Sequence, residues 1–136
     1  QPSYLYLFDH GYPAADAANL HGFHASEIPY VFGTFDRTPP RWPKVETTPR
    51  ETRMSDAMIG YWTSFARDGV PQAKGEAAWP RFAQDKSYMR FGDEPQVERG
   101  LMPGMFELHE AAMVRRAKAN QAWNWNVGMV SPVLAK

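Results

Sequence analysis

Near its start the chain reads YLYLFDH (residues 4–10), a run of aromatic and branched residues that ends in an acid and a histidine. Aromatic side chains favour β-strands, and residues 3–8 show no regular alternation of polar with apolar side chains. Strands that are buried on both faces, as in a parallel sheet, have this pattern. The run therefore predicts a strand that is buried on both faces.

A long amphipathic helix is predicted over residues 49–68. Thr48 can cap it, Pro49 suits the first helical position, and Glu51 stands where a capping box places its carboxylate. The glycine and proline of residues 69–71 are typical of a helix end. Its apolar residues recur on one face, which predicts a core-facing stripe: Met54, Met58, Tyr61, Trp62 and Phe65.

Shorter patterns surround this helix. Residues 13–22 predict a loop or a weak short helix, and residues 27–32 predict a short helical turn that starts near Ile28. Residues 88–91 and 96–99 alternate in polarity and predict a small hairpin or two edge strands. A buried strand needs neighbours, because unpaired backbone groups are costly. Either the hairpin therefore pairs with the first strand, or the partners of the first strand lie on another chain.

A second helix is predicted from residue 103 or 105 to about residue 120. Basic residues in its last turns suit the negative end of the helix dipole. The side chains expected to face inward are Met105, Leu108 or His109, Ala112, Met113 and Ala117.

Composition excludes several classes of protein. Fifteen Lys and Arg residues balance fifteen Asp and Glu residues, which argues against an electrostatic nucleic-acid binder. No apolar stretch approaches the roughly 20 residues of a membrane-spanning helix. The sequence has no cysteine, so it offers neither a disulfide framework nor a thiolate metal site. An aromatic content of 14% is too high for a disordered chain.

The densest group of chemically active side chains is HGFHASE, at residues 21–27. One histidine could be a general base, because imidazole titrates near neutral pH without help. Alternatively, His21 and His24 could form a metal pair, although no third ligand is evident. Ser26 could be a nucleophile, but it lacks the G-x-S-x-G elbow that presents such a hydroxyl. In a fourth interpretation the histidines are ordinary loop residues and Ser26 caps the next turn.

The run at residues 4–10, followed by HASEIPYVFG at residues 24–33, closely resembles the C-terminal part of type-B carboxylesterases. This is the cholinesterase and para-nitrobenzyl esterase family of α/β-hydrolases. The resemblance implies that His24 is the catalytic histidine, that Glu27 is the acid that follows it, and that Gly33 closes the motif.

The resemblance continues through YWTSFARDGVP at residues 61–71, which is similar to the family's helix and its Gly-x-Pro exit. It covers roughly residues 4–100. The implied fold class is a C-terminal segment of an α/β-hydrolase: the last sheet strands, the catalytic-histidine loop and C-terminal helices. Residues 1–136 would then be a fragment of a single carboxylesterase domain and not a complete domain. The absence of cysteine favours a microbial relative, because animal cholinesterases carry a disulfide around this region.

The activity implied by the resemblance is carboxylic ester hydrolysis by serine-type acyl transfer. His24 would be the general base, while nucleophile, acid and oxyanion hole lie on an upstream portion of the same enzyme. Phe23 and Ala25 would line the pocket for a small-molecule carboxylic ester, with simple packing as the alternative. We expect Glu27 to be a buried structural acid. The fragment alone is expected to be inactive, and no cofactor or metal is expected.

The remaining histidines, His10, His21 and His109, are expected to be structural or exposed. An alternative function is a stand-alone ligand-binding module that stacks sugars or apolar ligands on tryptophan. A second alternative is a catalytically inactive, cholinesterase-like interaction protein. Family habit implies a secreted or periplasmic location, but the sequence does not determine the compartment. The tryptophans of the binding-module hypothesis are Trp42, Trp62, Trp79, Trp123 and Trp125.

Overall fold

A computed structural model describes residues 2–82 and 85–121 of the chain. Trp123 and Trp125 lie outside the described residues. The described residues fall into two units, Gln1–Leu101 and Met102–Lys136. The first unit contains β1 (Tyr6–Phe8), α1 (Pro13–Ala17), α2 (Ile28–Phe32), a 3-10 turn (Phe35–Arg37), α3 (Pro49–Asp68), β2 (Ser87–Phe91) and β3 (Pro95–Arg99), and the second contains α4 (Met105–Lys118).

The sheet has the order β1-β2-β3, with β1 parallel to β2 and β2 antiparallel to β3. The predicted hairpin is confirmed, and it is the partner of the first strand: Tyr6 pairs with Met89, and Phe8 pairs with Phe91. The prediction that β1 is buried on both faces is wrong within the described chain. Tyr6 is 36% exposed, because β1 lies at an edge of this three-stranded sheet and only β2 pairs with it.

Helix α3 has the predicted bounds, and local signals account for both ends. The Thr48 hydroxyl accepts a hydrogen bond from the backbone N–H of Glu51 at 3.3 Å. Gly69 adopts a left-handed φ of 71° and donates its N–H to the carbonyl of Phe65. The capping box is only half formed, because the Glu51 carboxylate binds other partners. Of the predicted stripe, Met54, Met58 and Tyr61 are buried, Trp62 is half-buried and Phe65 is exposed.

Helix α2 is short and has a clear signal at each end. Pro29 lies in its first turn, where the missing N–H costs nothing. Gly33 ends the helix with a φ of 62°, a conformation that disfavours any residue with a Cβ. This helical turn was predicted, and it follows directly after the candidate histidine.

An aromatic cluster packs α3 against the sheet. Trp79 lies at its centre, with ring centroids 5.4 Å from Tyr61, 5.5 Å from Trp62 and 5.5 Å from Phe91. Aromatic pairs contribute about 0.5–1.5 kcal/mol each beyond the area that they bury. The Trp79 indole N–H also donates to the carbonyl of Leu5 at 3.1 Å. The cluster thereby holds the segment that leads into β1.

In the second unit, α4 begins and ends close to the predicted residues. Basic side chains occupy its last turn, as expected. The predicted inward face is wrong within the described residues: Ala112 is buried, whereas Met105, Leu108 and Met113 are exposed. The described part of this unit holds no second helix or strand against which an apolar face could pack. No helix in the described ranges combines the length and apolarity that crossing a bilayer requires.

Candidate active site

The candidate histidine lies in the α1–α2 loop, residues 18–27. Its backbone turns tightly there, because the N–H of Ser26 donates to the carbonyl of Phe23 at 3.0 Å. His24 and Ala25 are the two central residues of this turn. We call residues 23–26 the histidine turn. It places the His24 side chain on the surface of the described chain, where it is exposed.

Ser26 closes the histidine turn with its side chain. The hydroxyl donates to the carbonyl oxygen of Phe23 at 2.7 Å and accepts from the N–H of Phe23 at 3.1 Å. Ser26 is only 1% exposed. A buried hydroxyl that is engaged in this way is not presented as a nucleophile. Nor does Ser26 cap α2, whose N-cap is Glu27.

The loop stores backbone strain around His24. Asn19, His21 and Ala25 have φ values of 56°, 48° and 64°. A left-handed conformation costs a residue with a Cβ roughly 1–2 kcal/mol. The loop also approaches the end of β1 closely, since a Cβ on Gly22 would lie 3.1 Å from the carbonyl oxygen of Phe8. Strain of this kind persists where the surroundings fix the conformation, and it is common at functional sites.

Two side chains of the loop are anchored locally. Phe23 is half-buried, and its ring packs edge-on against Trp42 with centroids 5.0 Å apart. The Nδ1–H of His21 donates to a carboxylate oxygen of Asp16 at 2.8 Å, on the protein surface. His21 therefore pairs with an acid that the sequence analysis did not single out. Within residues 2–82 and 85–121, no three His, Asp or Glu side chains form a group that could hold a metal ion.

Helix α2, directly after the histidine turn, is anchored by a buried hydrogen-bond network of His10, Tyr30 and Glu51. The Tyr30 hydroxyl donates to Oε2 of Glu51 at 2.5 Å, and His10 Nε2 lies 2.6 Å from the same oxygen. The Nδ1–H of His10 donates to the carbonyl oxygen of Gly92 at 2.8 Å. We call these three side chains the buried network. It joins α2 to α3, to the end of β1 and to the turn between β2 and β3.

The charges of the buried network follow from these contacts. Burial alone would raise the pKa of Glu51, but hydrogen bonds from His10 and Tyr30 lower it below its ordinary value. Burial and the hydrogen bond to Glu51 raise the pKa of Tyr30. Glu51 is therefore an anion and Tyr30 a neutral donor at neutral pH. The Gly92 carbonyl oxygen can only accept, so Nδ1 of His10 carries the hydrogen of that bond, and Nε2 faces the Glu51 carboxylate oxygen at 2.6 Å.

The expectation of a buried structural acid is met by a different residue. Glu27 is only half-buried, and no described side chain hydrogen-bonds to its carboxylate. Glu51 is 1% exposed and hydrogen-bonded. The capping pattern indicated a role for Glu51 at the start of the helix and gave no signal for the buried partners of its carboxylate. His10 is structural, as expected, and its position directly after a strand was the available signal that it lies near the loop.

The structure brings Phe23, His24, Ala25 and Ser26 together in one turn. No side chain in the described part of the chain hydrogen-bonds to the imidazole of His24. Both of its ring nitrogens are therefore available to groups outside residues 2–82 and 85–121. An exposed imidazole with both ring nitrogens available can exchange protons with such groups.

Comparison with known proteins identifies the family. The model described as "Carboxylesterase family" matches residues 1–108. The chain belongs to the carboxylesterase family. This confirms the resemblance to type-B carboxylesterases that residues 4–100 carry.

Individual relatives of this carboxylesterase chain are similar over most of it. Acylcarnitine hydrolase of Rattus norvegicus is 35% identical over 104 residues, which are 74% of this chain and 18% of the relative. Carboxylesterase EST55 of Geobacillus stearothermophilus, solved at pH 6.8, is 28% identical with a TM-score of 0.57, over 77% of this chain and 21% of that structure. A thermophilic PNB esterase is 26% identical with a TM-score of 0.62, over 78% of this chain and 21% of that structure.

The carboxylesterase chain thus spans about a fifth of the length of the relatives that it matches. Its small sheet and helices are part of the α/β-hydrolase fold, which confirms the predicted fold class. Because a mammalian protein and a bacterial one both match, the microbial branch inferred from the absence of cysteine stays a prediction.

Proposed function

We propose that this chain supplies the general-base histidine, His24, to a carboxylic ester hydrolase that works by serine-type acyl transfer. The observation that carries the proposal is the placement of His24. Its imidazole is exposed on a turn that Ser26 closes, directly before a helix that the buried network anchors. A general base must be held in a fixed position and still reach the reacting group.

In the proposed mechanism, His24 takes the proton from a serine hydroxyl as that oxygen attacks the ester carbonyl. The imidazole then gives the proton to the departing alcohol, which leaves an acyl-enzyme. The same imidazole next removes a proton from water, which attacks the acyl group and releases the acid. A carboxylate on the second ring nitrogen would hold the imidazole in the correct orientation.

The serine, the orienting carboxylate and the oxyanion donors belong, in this proposal, to an upstream portion of the same enzyme, covalently joined or as a nicked chain. Residues 1–136 would be the C-terminal fragment of a single α/β-hydrolase domain. The edge position of β1 supports this part of the proposal, because the edge that has no partner among the described residues can accept a further strand. The isolated chain should therefore not hydrolyse esters.

The substrate in this proposal is a small-molecule carboxylic ester, and Phe23 and Ala25 line its pocket beside His24. Both residues are half-buried and flank the imidazole along the chain. Phe23 also packs against Trp42, so its ring is held in place whether or not a substrate is bound.

The proposal is tested in the full-length enzyme with para-nitrophenyl esters. His24→Ala should lower kcat by at least about a thousandfold, because a triad without its base keeps only the contributions of binding and the oxyanion hole. His21→Ala is the matched control: it removes an exposed imidazole from the same loop and should leave kcat within about twofold. Substantial turnover by His24→Ala would overturn the assignment. No turnover by the wild-type enzyme, with no serine at the nucleophile position, would instead indicate the inactive interaction protein.

A second candidate function rests on an aromatic groove in the first unit. The groove has a volume of about 170 Å³, and it contains two of the tryptophans of the binding-module hypothesis, Trp62 and Trp79. Trp42 lies elsewhere, against Phe23. Saturable quenching of tryptophan fluorescence in the isolated chain by cellohexaose or by an anilinonaphthalene dye, lost in Trp62→Ala, would favour this function. The groove is lined by Tyr4, Tyr6, Tyr61, Trp62, Phe65, Pro71 and Trp79.

A further inference from the structure

The strained residue of the histidine turn stands next to the proposed base. Ala25 has a φ of 64° at the third position of a four-residue turn. Glycine is the usual residue there, because a Cβ disfavours the left-handed conformation. A turn with alanine at this position tends to relax, and relaxation would rotate the peptide that carries His24. Some other contact must keep the turn closed.

The Ser26 hydroxyl makes that contact. It bonds to both backbone groups of Phe23, the residue on the other side of His24. Phe23 is itself held by the ring of Trp42. Ser26 is buried, so water does not compete for these bonds. The two residues that flank the His24–Ala25 pair are therefore joined by side-chain bonds as well as by the backbone bond of the turn.

We propose that Ser26 is a positioning residue for His24: its hydroxyl holds the strained turn closed and so fixes the imidazole for proton transfer. This inference rests on the proposed function of His24. Ser26 itself would touch neither the ester nor the nucleophile. A base displaced by about 1 Å can lose about a hundredfold in rate, so loss of the hydroxyl should act on kcat and not on substrate binding.

The chain offers a matched control for this test. Ser64, near the end of α3, is also buried, and its hydroxyl contacts both backbone groups of Gln72, the carbonyl oxygen at 2.9 Å and the N–H at 2.6 Å. Ser64→Ala thus removes the same kind of two-way clamp from a segment far along the chain from His24. It reports the effect of losing such a clamp without any effect on the base.

The experiment measures kcat and KM for para-nitrophenyl acetate in the full-length enzyme. Ser26→Ala should lower kcat tenfold to a hundredfold with KM within twofold of wild type, Ser26→Thr should restore much of the loss, and Ser64→Ala should change neither constant. A kcat for Ser26→Ala within twofold of wild type, or a loss equal to that of Ser64→Ala, would overturn the inference.

If Ser26→Ala does not fold, Ser26→Cys replaces it, because it keeps a side chain of similar size and weakens both hydrogen bonds. A several-fold loss of kcat in Ser26→Cys then supports the inference, and a kcat within twofold of wild type overturns it. His24→Ala is measured alongside. If His24→Ala stays active, the proposed function itself is contradicted. If only the Ser26 variants keep full activity, the positioning role alone is contradicted.

Discussion

The α1–α2 loop leads into α2 and the buried network anchors that helix through Tyr30, and the two regions are built in opposite ways. The loop carries exposed polar side chains, left-handed residues without glycine, and few anchoring contacts. The buried network holds three polar side chains away from water, with a partner for each donor and acceptor that they use. The residue proposed for chemistry therefore lies on a strained and accessible segment, between the Ser26 bonds inside the turn and the packed helix that follows it.

The residues that stabilise the site therefore differ from the residue that is proposed to act in catalysis. Polar groups buried in a fully satisfied network are costly to disturb, because each lost partner leaves another group without one. Exposed loop residues contribute little to stability, so they are free to vary in chemistry. Substitutions in the two regions should thus affect different measurements: unfolding for the buried network and kcat for the loop.

The largest stability effect should come from Glu51→Gln. The change leaves the volume nearly constant but removes the charge. His10 and Tyr30 both bond to one carboxylate oxygen, Oε2, so the amide oxygen can still accept from them, but without the negative charge. Because hydrogen bonds to a charged group contribute about 1.5–3 kcal/mol and neutral ones about 0.5–1.5 kcal/mol, the loss should be about 2 kcal/mol. Urea unfolding of the full-length enzyme should show a clearly lower midpoint. Glu27→Gln is the control and should cost less than about 1 kcal/mol; equal losses for the two variants would contradict the assigned roles.

The contribution of Glu51 should also depend on pH in a defined direction. Its pKa in the folded state lies below the ordinary value of 4.5, so the folded state favours the anion. Its stabilisation is fully present above 4.5 and is lost as the pH falls through the lower folded pKa. Urea midpoints of wild type and Glu51→Gln should therefore converge on acidification. A gap that stays constant below pH 4 would show that charge is not the cause.

The smallest effect should come from relieving strain in the loop. Ala25→Gly removes a Cβ from a left-handed residue, which should stabilise the folded state by roughly 1–2 kcal/mol. The greater conformational freedom of glycine stabilises the unfolded state by about 0.4–1 kcal/mol. The net change should lie between neutral and about 1.5 kcal/mol of stabilisation. Ala66→Gly, on the exposed face of α3, should instead destabilise by about 1 kcal/mol. Thermal unfolding of both variants distinguishes the signs, and a similar loss in each would show that residue 25 is unstrained.

Local signals in the sequence were sufficient for the helices and the hairpin. The bounds of α3 follow from Thr48, Pro49 and Gly69, each of which acts within a few residues of its own position. Burial could not be predicted in the same way. The exposure of β1 and of the apolar residues of α4 depends on which segments lie beside them, and no local pattern carries that information.

The same distinction between local signals and distant contacts applies to the candidate site. His24 was assigned through a family resemblance, because residue types alone left four interpretations of the loop open. The role of Glu51 could not be predicted, since its partners lie 21 and 41 residues away along the chain. A pattern that places a carboxylate at a helix start cannot show that a tyrosine and a histidine from other segments will compete for it.

The hydrogen bond from His10 to Gly92 spans 82 residues of the chain. Contacts between such distant residues make folding slow, because a long loop must close before they form. At a synthesis rate of about 5–20 residues per second, several seconds pass between the appearance of the histidine and that of its carbonyl partner. Glu51 follows the histidine by 41 residues, so in the second half of that interval the ring can meet Glu51 but not Gly92, and the sheet side of the site is completed last. Mutations that delay the β2–β3 turn should therefore expose the unfinished strand β1 to aggregation long before they affect the folded protein.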